Sequence, residues 1–171
     1  MKLNVGCGDN ILDGYDNIDK FDFRDDRVIN EDIIDLPSYE ENSVDEILAE
    51  ALIEHLDVKE FYYAIRRWYK LLKPNGFIQT ECPDIMYVSK MILQDGLTDL
   101  IAYEIWGQYW RPWDKDWNGD DILSGQFHKN GLTYERIQSI ANEVGFKRVE
   151  RMDNTYKKYK NPYSLCVRWY K

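Results

Sequence analysis

The sequence has few of the residues that build disulfide frameworks and zinc modules. Its 171 residues include three cysteines, Cys7, Cys82 and Cys166, and no Cys-x-x-Cys pair. This spacing indicates neither a disulfide framework nor a structural zinc site, so we predict no metal site and a reducing, cytoplasmic setting. Histidine is also scarce, because His55 and His128 are the only two. A side chain that titrates near neutral pH is therefore available at two positions.

Long apolar runs and positive charge are also scarce. No apolar run is long enough to cross a membrane, and Met1 and Lys2 lead straight into the first predicted strand without a signal peptide, so we expect no membrane partner. The 22 Lys and Arg residues against 31 Asp and Glu give a formal net charge of −9. Because such a chain repels a polyphosphate backbone, we do not expect a nucleic-acid partner, and we interpret the basic clusters at residues 66–67 and 147–160 as solvated surface.

What the sequence does contain is a glycine turn directly after a short apolar strand, at residues 3–10. Gly6 and Gly8 lack Cβ atoms, so the chain can turn sharply there and a ligand can approach the backbone N–H groups closely. A dinucleotide fingerprint needs a third glycine where Ile11 stands, which argues against NAD or FAD. We interpret Cys7, between the two glycines, as a small packing residue and not as a nucleophile.

Acidic residues follow the next predicted strands. Asp19 ends the segment at residues 14–19, where a carboxylate can accept hydrogen bonds from both hydroxyls of a ribose. Asp32 follows the apolar pair at residues 28–29, and Glu50 ends a fourth predicted strand. Since ligands of open α/β sheets bind at the carboxyl ends of the strands, these acids are expected to face one crevice together with the glycine turn.

The order of these motifs resembles the small class I S-adenosylmethionine-dependent methyltransferases. The resemblance covers nearly the whole chain and lies at residues 6–8, 14–19, 32–37, 54–56 and 72–77. Two departures are Asn4, where the family often has an acid, and Asn10, where it often has a further glycine. The resemblance implies S-adenosyl-L-methionine as cofactor. The cofactor contacts that it implies are Gly6, Cys7, Gly8, Asp19, Lys20, Asp32, Ile33 and Glu50.

The implied fold class is α/β, a three-layer Rossmann-like domain over residues 1–171. Its seven-stranded sheet should be mostly parallel with an antiparallel last strand. Too few residues separate Gly8 from Asp16 for an ordinary crossover helix, so that helix is reduced to one turn or missing. Strands are predicted at residues 3–5, 17–18, 27–30, 43–49, 77–81, 148–152 and 164–169. Helices are predicted at residues 57–72, 84–93 and 133–144.

Residues 97–129 depart from this alternation of strands and helices. Aromatic side chains are mixed there with Gly, Pro, Asp and Asn, too aromatic for a linker and too irregular for a long helix. We expect an insertion that folds over the crevice. A substrate lid and a satellite hydrophobic cluster that covers the sheet edge are both compatible with this composition.

The predicted function is methyl transfer to a small-molecule or glycan acceptor, to which aromatic faces are well suited. His128 and His55 are the candidates for removing a proton from the acceptor. A helix-bracing role for His55 and an exposed loop position for His128 stay open. So does a non-catalytic cofactor-binding or scaffolding subunit, with self-association into a homo-oligomer as a further expectation. A nucleotide-sugar enzyme is disfavoured, because no basic group near Gly6 and Gly8 would neutralise a diphosphate.

Overall fold

The computed structural model describes residues 1–21, 25–107, 127–153 and 163–171, and in them a single seven-stranded sheet with four α-helices. The strands are β1 (Lys2–Val5), β2 (Asp16–Asp19), β3 (Val28–Asn30), β4 (Val44–Glu50), β5 (Leu72–Pro83), β6 (Arg148–Arg151) and β7 (Ser164–Tyr170). The helices are α1 (Val58–Leu71), α2 (Ile85–Asp95), α3 (Asp99–Trp106) and α4 (Tyr134–Val144), with a 3-10 helix at Ile53–His55.

The strand order is β3-β2-β1-β4-β5-β7-β6. The first five strands pair in parallel, whereas β7 lies between β5 and β6 and is antiparallel to both. The predicted α/β, Rossmann-like, mostly parallel sheet with an antiparallel last strand is confirmed. The order reverses direction at β1 and β4, so the carboxyl ends of these two strands mark the place where such sheets bind ligands.

Helix α1 shows how local sequence builds this frame. Asp57 and Glu60 form a reciprocal capping box at its N-terminus. The apolar side chains recur at helical spacing and are buried, as the sequence predicted. Trp68 is fully buried and donates its indole N–H to the carbonyl oxygen of Ile33 at 3.0 Å. The helix thus holds the loop after β3 against the core.

The main differences from the sequence expectation lie at element ends. Strand β5 begins at Leu72, directly after α1, and not at Phe77 as predicted, because the sheet pairing of Val44 with Leu72 extends the strand toward its N-terminus. Residues 6–15, all of them described, connect the parallel strands β1 and β2 without a helix, as expected from the shortness of the connection. Among the described residues, no helix combines the length and apolar character that crossing a lipid bilayer requires.

The predicted insertion at residues 97–129 is described only at its two ends. Helix α3 lies at its N-terminal end, and residues 127–129 form its C-terminal end. Tyr109, Trp110, Trp113 and Trp117 lie outside the described residues, so the lid expectation stays a prediction.

Candidate functional site

The glycine turn follows β1, as predicted. Gly6 and Gly8 have φ values of +68° and +52°, which side chains with a Cβ rarely adopt. A Cβ on Gly6 would lie 2.7 Å from Cδ1 of Leu52, whereas one on Gly8 would meet no atom within 4 Å. The N–H groups of Gly6 and Cys7 both donate to the carbonyl oxygen of Ile18, at 2.8 and 3.1 Å. This pairing holds the turn against the end of β2.

Two buried asparagines brace the far side of the turn. Asn4 donates its amide to Asn17 Oδ1 at 2.8 Å and to the carbonyl oxygen of Asn10 at 2.7 Å. Asn17 in turn accepts from the N–H of Leu12 at 2.9 Å and donates to its carbonyl oxygen at 3.1 Å. The amide of Asn4 therefore does in this chain what a carboxylate could not, because it donates two hydrogen bonds.

Asp19 stabilises the glycine turn, in addition to the ribose binding predicted for it. Its carboxylate accepts from the N–H of Gly8 at 3.0 Å and from the N–H of Phe21 at 3.0 Å, one bond to each oxygen. The residue is only 6% exposed. Each oxygen keeps further lone-pair capacity, so a ribose can still be bound. The carboxylate also fixes the glycine turn, which the sequence alone did not indicate.

These residues line a first crevice of ≈ 470 Å³ at the carboxyl ends of β1, β2 and β4. Of the predicted cofactor contacts it contains Gly6, Cys7, Gly8, Asp19, Lys20, Ile33 and Glu50. Asp32 lies instead on a second crevice of ≈ 440 Å³, which shares Lys20, Ile33, His55 and Leu56 with the first. The charged side chains of the first crevice are Asp9, Asp19, Glu50 and Lys20, so it is net acidic.

Cys7 is buried and lies in the first crevice. Burial raises the pKa of its thiol to about 11, and the carboxylate of Asp19 acts in the same direction. A thiol with this pKa is almost wholly protonated at neutral pH and is a poor nucleophile. The packing interpretation from the sequence agrees with this environment.

His55 and His128, 73 positions apart in sequence, are brought into contact. Their ring centroids are 4.9 Å apart in an edge-to-face arrangement. Nδ1 of His55 is 3.2 Å from the carbonyl oxygen of Phe127, and Nδ1 of His128 is 3.0 Å from that of Glu104. His55 lines both crevices. Burial lowers the pKa of His55 to about 4 and also lowers the pKa of His128, so both rings are neutral at pH 7.

Backbone hydrogen bonds fix the segment that carries His128. The N–H groups of Lys129 and Asn130 donate to the carbonyl oxygen of Glu54 at 2.7 and 3.2 Å, and the N–H of His128 donates to that of Trp106 at 3.0 Å. The 3-10 helix, the end of α3 and residues 127–130 therefore meet around the two rings. His128 lies in a loop, as one of the expectations had it, but its side chain is partly buried and not exposed.

Glu54 is the residue that the sequence analysis missed. It is 4% exposed, and its Oε2 accepts no hydrogen bond in the described part of the chain. Burial raises the pKa of Glu54 to about 8, and the neighbouring carboxyl groups of Glu104 and Glu81 act in the same direction. A carboxyl oxygen of Glu54 and a ring nitrogen of each histidine all lie within 4.8 Å of one another. Its place beside His55 in the Glu-His-Leu motif was the available signal.

A comparison with protein families supports the resemblance seen in the sequence. Residues 13–80 match the family model described as a methyltransferase domain. A search of curated proteins finds no match. The matched stretch runs from the turn before β2 into β5 and thus includes Asp19, Asp32, Glu50, Glu54 and His55.

Solved structures match over almost the whole chain. A methyltransferase from Archaeoglobus fulgidus is 17% identical, with a TM-score of 0.60 and 99% of this chain and 85% of that chain covered. One from Methanosarcina mazei is 16% identical, with a TM-score of 0.61 and coverage of 99% and 91%. The fold is that of S-adenosylmethionine-dependent methyltransferases.

A third similar structure was solved with ligands. It is the 1,6-didemethyltoxoflavin-N1-methyltransferase of Burkholderia thailandensis with bound 1,6-didemethyltoxoflavin and S-adenosylhomocysteine. It is 13% identical, with a TM-score of 0.60, and the match covers 99% of this chain and 70% of that one. Together these matches show the fold, and the family model covers residues 13–80; none of them identifies the acceptor of this chain.

Proposed function

We propose that the chain transfers a methyl group from S-adenosylmethionine to a small-molecule or glycan acceptor. The observation that carries this proposal is the first crevice, where a glycine turn and a strand-end carboxylate meet at the switch point of the sheet. The similarity to methyltransferases in family and in fold supports it.

The residues present suit this cofactor better than a nucleotide with a diphosphate. Three carboxylates and one ammonium line the first crevice, so the cationic sulfonium is favoured and a diphosphate is not. Gly6 leaves room where a Cβ would strike Leu52, and Asp19 offers its remaining lone pairs to the ribose hydroxyls. The predicted contacts with Lys20, Ile33, Asp32 and Glu50 remain part of the proposal.

The chain's own contribution is to bind, orient and shield the reactants. The cofactor supplies the electrophilic methyl group, and the protein supplies proximity and dry surroundings. We place the acceptor at the second crevice, because His55 and Leu56 lie on both crevices and so mark the border between the two ligands. His55, which lies on both crevices, and His128, whose ring contacts that of His55, are the residues proposed to act on an acceptor hydroxyl or amine at this border.

The second crevice also limits the acceptor. Its volume of ≈ 440 Å³ is that of a small-molecule site, and its charged residues are Lys20, Glu31, Asp32, Glu60 and Lys129. Polar side chains of both signs are suited to hydroxyl-rich molecules such as sugars. A polyanionic nucleic acid would meet more acids than bases there.

The test is transfer from S-adenosylmethionine with a labelled methyl group to a panel of sugars, phenols, amines and carboxylates. The expected result is incorporation into at least one hydroxyl-bearing acceptor. Binding of S-adenosylhomocysteine without turnover on any acceptor would contradict the enzyme and favour a non-catalytic subunit of the same fold.

A further inference from the structure

The contact between the two histidines and Glu54 has the composition of a metal centre. The three side chains approach one another to within 4.8 Å between ligand atoms. Two imidazoles and one carboxylate form a ligand set that divalent transition metals take in open catalytic sites. The two histidines are the only ones in the chain, and both are in this cluster.

The hydrogen bonds of the two imidazole rings leave one nitrogen of each ring able to bind a metal ion. Carbonyl oxygens only accept, so Nδ1 of His55 and Nδ1 of His128 must carry the protons that they donate to Phe127 and Glu104. Nε2 of each ring then holds a lone pair. This is the arrangement of metal-binding histidines, in which the second nitrogen is oriented by a backbone carbonyl.

Glu54 supplies an independent observation. Its Oε2 has no hydrogen-bond partner in the described residues, and because the residue is only 4% exposed, bulk water cannot supply one. Glu81 and Glu104 are also buried and close enough to influence it. Burying an unsatisfied carboxyl oxygen is unfavourable unless a cation or a donor compensates it. A metal ion at the histidines would provide that compensation.

We propose that Glu54, His55 and His128 bind a divalent transition-metal ion of the zinc type. Tetrahedral coordination with bonds of about 2.0–2.2 Å places ligand atoms roughly 3.3–3.6 Å apart, so closure from 4.8 Å or less takes only a small inward movement of the side chains. Magnesium and calcium are disfavoured, because they prefer oxygen ligands.

The ion would stand where the two proposed ligands of the enzyme meet. With three protein ligands it keeps a position for a water or an acceptor oxygen, and His55 lies on both crevices. Such an ion would make a bound acceptor hydroxyl easier to deprotonate, as zinc does for water. This role rests on the proposed function, whereas the metal site itself does not.

The test is a titration of the full, untagged and chelator-treated chain with Co²⁺, followed by visible absorption. The expected result is a saturable spectrum at roughly one ion per chain, displaced by Zn²⁺ and not by excess Mg²⁺. His128→Gln, His55→Gln and Glu54→Gln should each weaken Co²⁺ binding by at least about tenfold to a hundredfold.

Glu143→Gln is the matched control, because Glu143 is an exposed carboxylate in an ion pair with Arg66. It should bind Co²⁺ as the wild type does, and circular dichroism confirms that each variant is folded. If Glu54→Gln does not fold, the histidine variants decide. A wild-type spectrum equal to that of Co²⁺ in buffer, or full affinity in the folded histidine variants, would overturn the site. Calorimetry with S-adenosylhomocysteine on the metal-free chain tests the proposed function separately.

Discussion

The two halves of the candidate site are held together over very different distances along the chain. Around the glycine turn, the bond from Gly8 to Asp19 joins residues 11 positions apart. Around the histidines, the bond from His55 to Phe127 joins residues 72 positions apart. The first half is therefore assembled within one β-loop-β unit, whereas the second needs the 3-10 helix, the end of α3 and residues 127–130 to meet.

The difference shows what a sequence reveals about a site. A site built from residues close in sequence appears as a motif in that sequence. A contact between distant residues does not, because the sequence shows the two residues but not that they meet. The following predictions test whether the two halves are also separate in function. They run from the largest expected effect to the smallest.

The largest effect is expected in the histidine half. With an acceptor in hand, His128→Ala should lower turnover by about a hundredfold to ten-thousandfold, because a ring that acts on the acceptor's proton, either as a base or as a ligand of the proposed ion, is lost. The affinity for S-adenosylhomocysteine should stay nearly unchanged, since the glycine turn is not touched.

His55→Ala is the comparison variant, measured by the same kinetics and calorimetry. Equal small losses of turnover in both variants would mean that the acceptor needs no help from either ring. A large loss of S-adenosylhomocysteine affinity in His128→Ala would show that the two halves are not separate.

A change at Asp19 should affect the other half. Asp19→Ala removes an acceptor for the N–H groups of Gly8 and Phe21 as well as the proposed ribose contact. Loss of such charge-assisted bonds should cost about 1.5–3 kcal/mol in cofactor affinity. Because the carboxylate is buried and fixes the turn, the free energy of unfolding should also fall.

Calorimetry and urea unfolding measure these two effects, and Asp95→Ala, at an exposed carboxylate that lines neither crevice, serves as the control. An Asp19→Ala chain with wild-type affinity would mean that the carboxylate does not contact the ribose.

The two glycines of the turn should differ in their tolerance of a side chain. Gly6→Ala combines a φ of +68° with a Cβ only 2.7 Å from Leu52, so a loss of about 1–3 kcal/mol of stability is expected. In Gly8→Ala the new Cβ meets no atom within 4 Å, so the only cost is that of the left-handed backbone. The expected loss of stability is about 1–2 kcal/mol. Thermal unfolding of both variants compares them, and a more stable Gly6→Ala chain would contradict the packing described here.

The smallest effect concerns the thiol of Cys7. Its pKa of about 11 keeps the reactive thiolate scarce below pH 9, so modification by a thiol reagent should be slow at pH 7 and accelerate steadily as the pH rises toward 11. Bound S-adenosylhomocysteine should slow it further. Cys82 and Cys166 are buried too, so Cys7→Ser identifies the signal. Rapid modification of Cys7 at pH 7 would contradict its buried, protonated state.

Much of the fold followed from local patterns. The alternation of strands and helices was predicted and is confirmed, and local residues explain the helix ends: Asp57 caps α1, Thr133 caps α4 and Gly145 ends α4. Strand ends were less accurate, because β5 is extended by its pairing with β4, which no local pattern encodes.

The candidate site followed only in part. The glycine turn and Asp19 stand next to recognisable strands, so their place at the sheet edge was predictable. The contact of His55 with His128 depends on how residues 127–130 pack against the 3-10 helix, where Oε2 of Glu54 has no hydrogen-bond partner within the described residues. The sequence contains these residues without placing them together, and our prediction of no metal site rested on the cysteine spacing alone.

The central claim is that the first crevice binds S-adenosylmethionine, and calorimetry with its demethylated product tests this most directly. S-adenosylhomocysteine, NAD and a UDP-sugar are titrated in turn into the wild-type chain. The account predicts saturable binding of S-adenosylhomocysteine at roughly one per chain, and no binding of the two diphosphates, which the acidic crevice repels. Binding of NAD or the UDP-sugar with no heat from S-adenosylhomocysteine would contradict it.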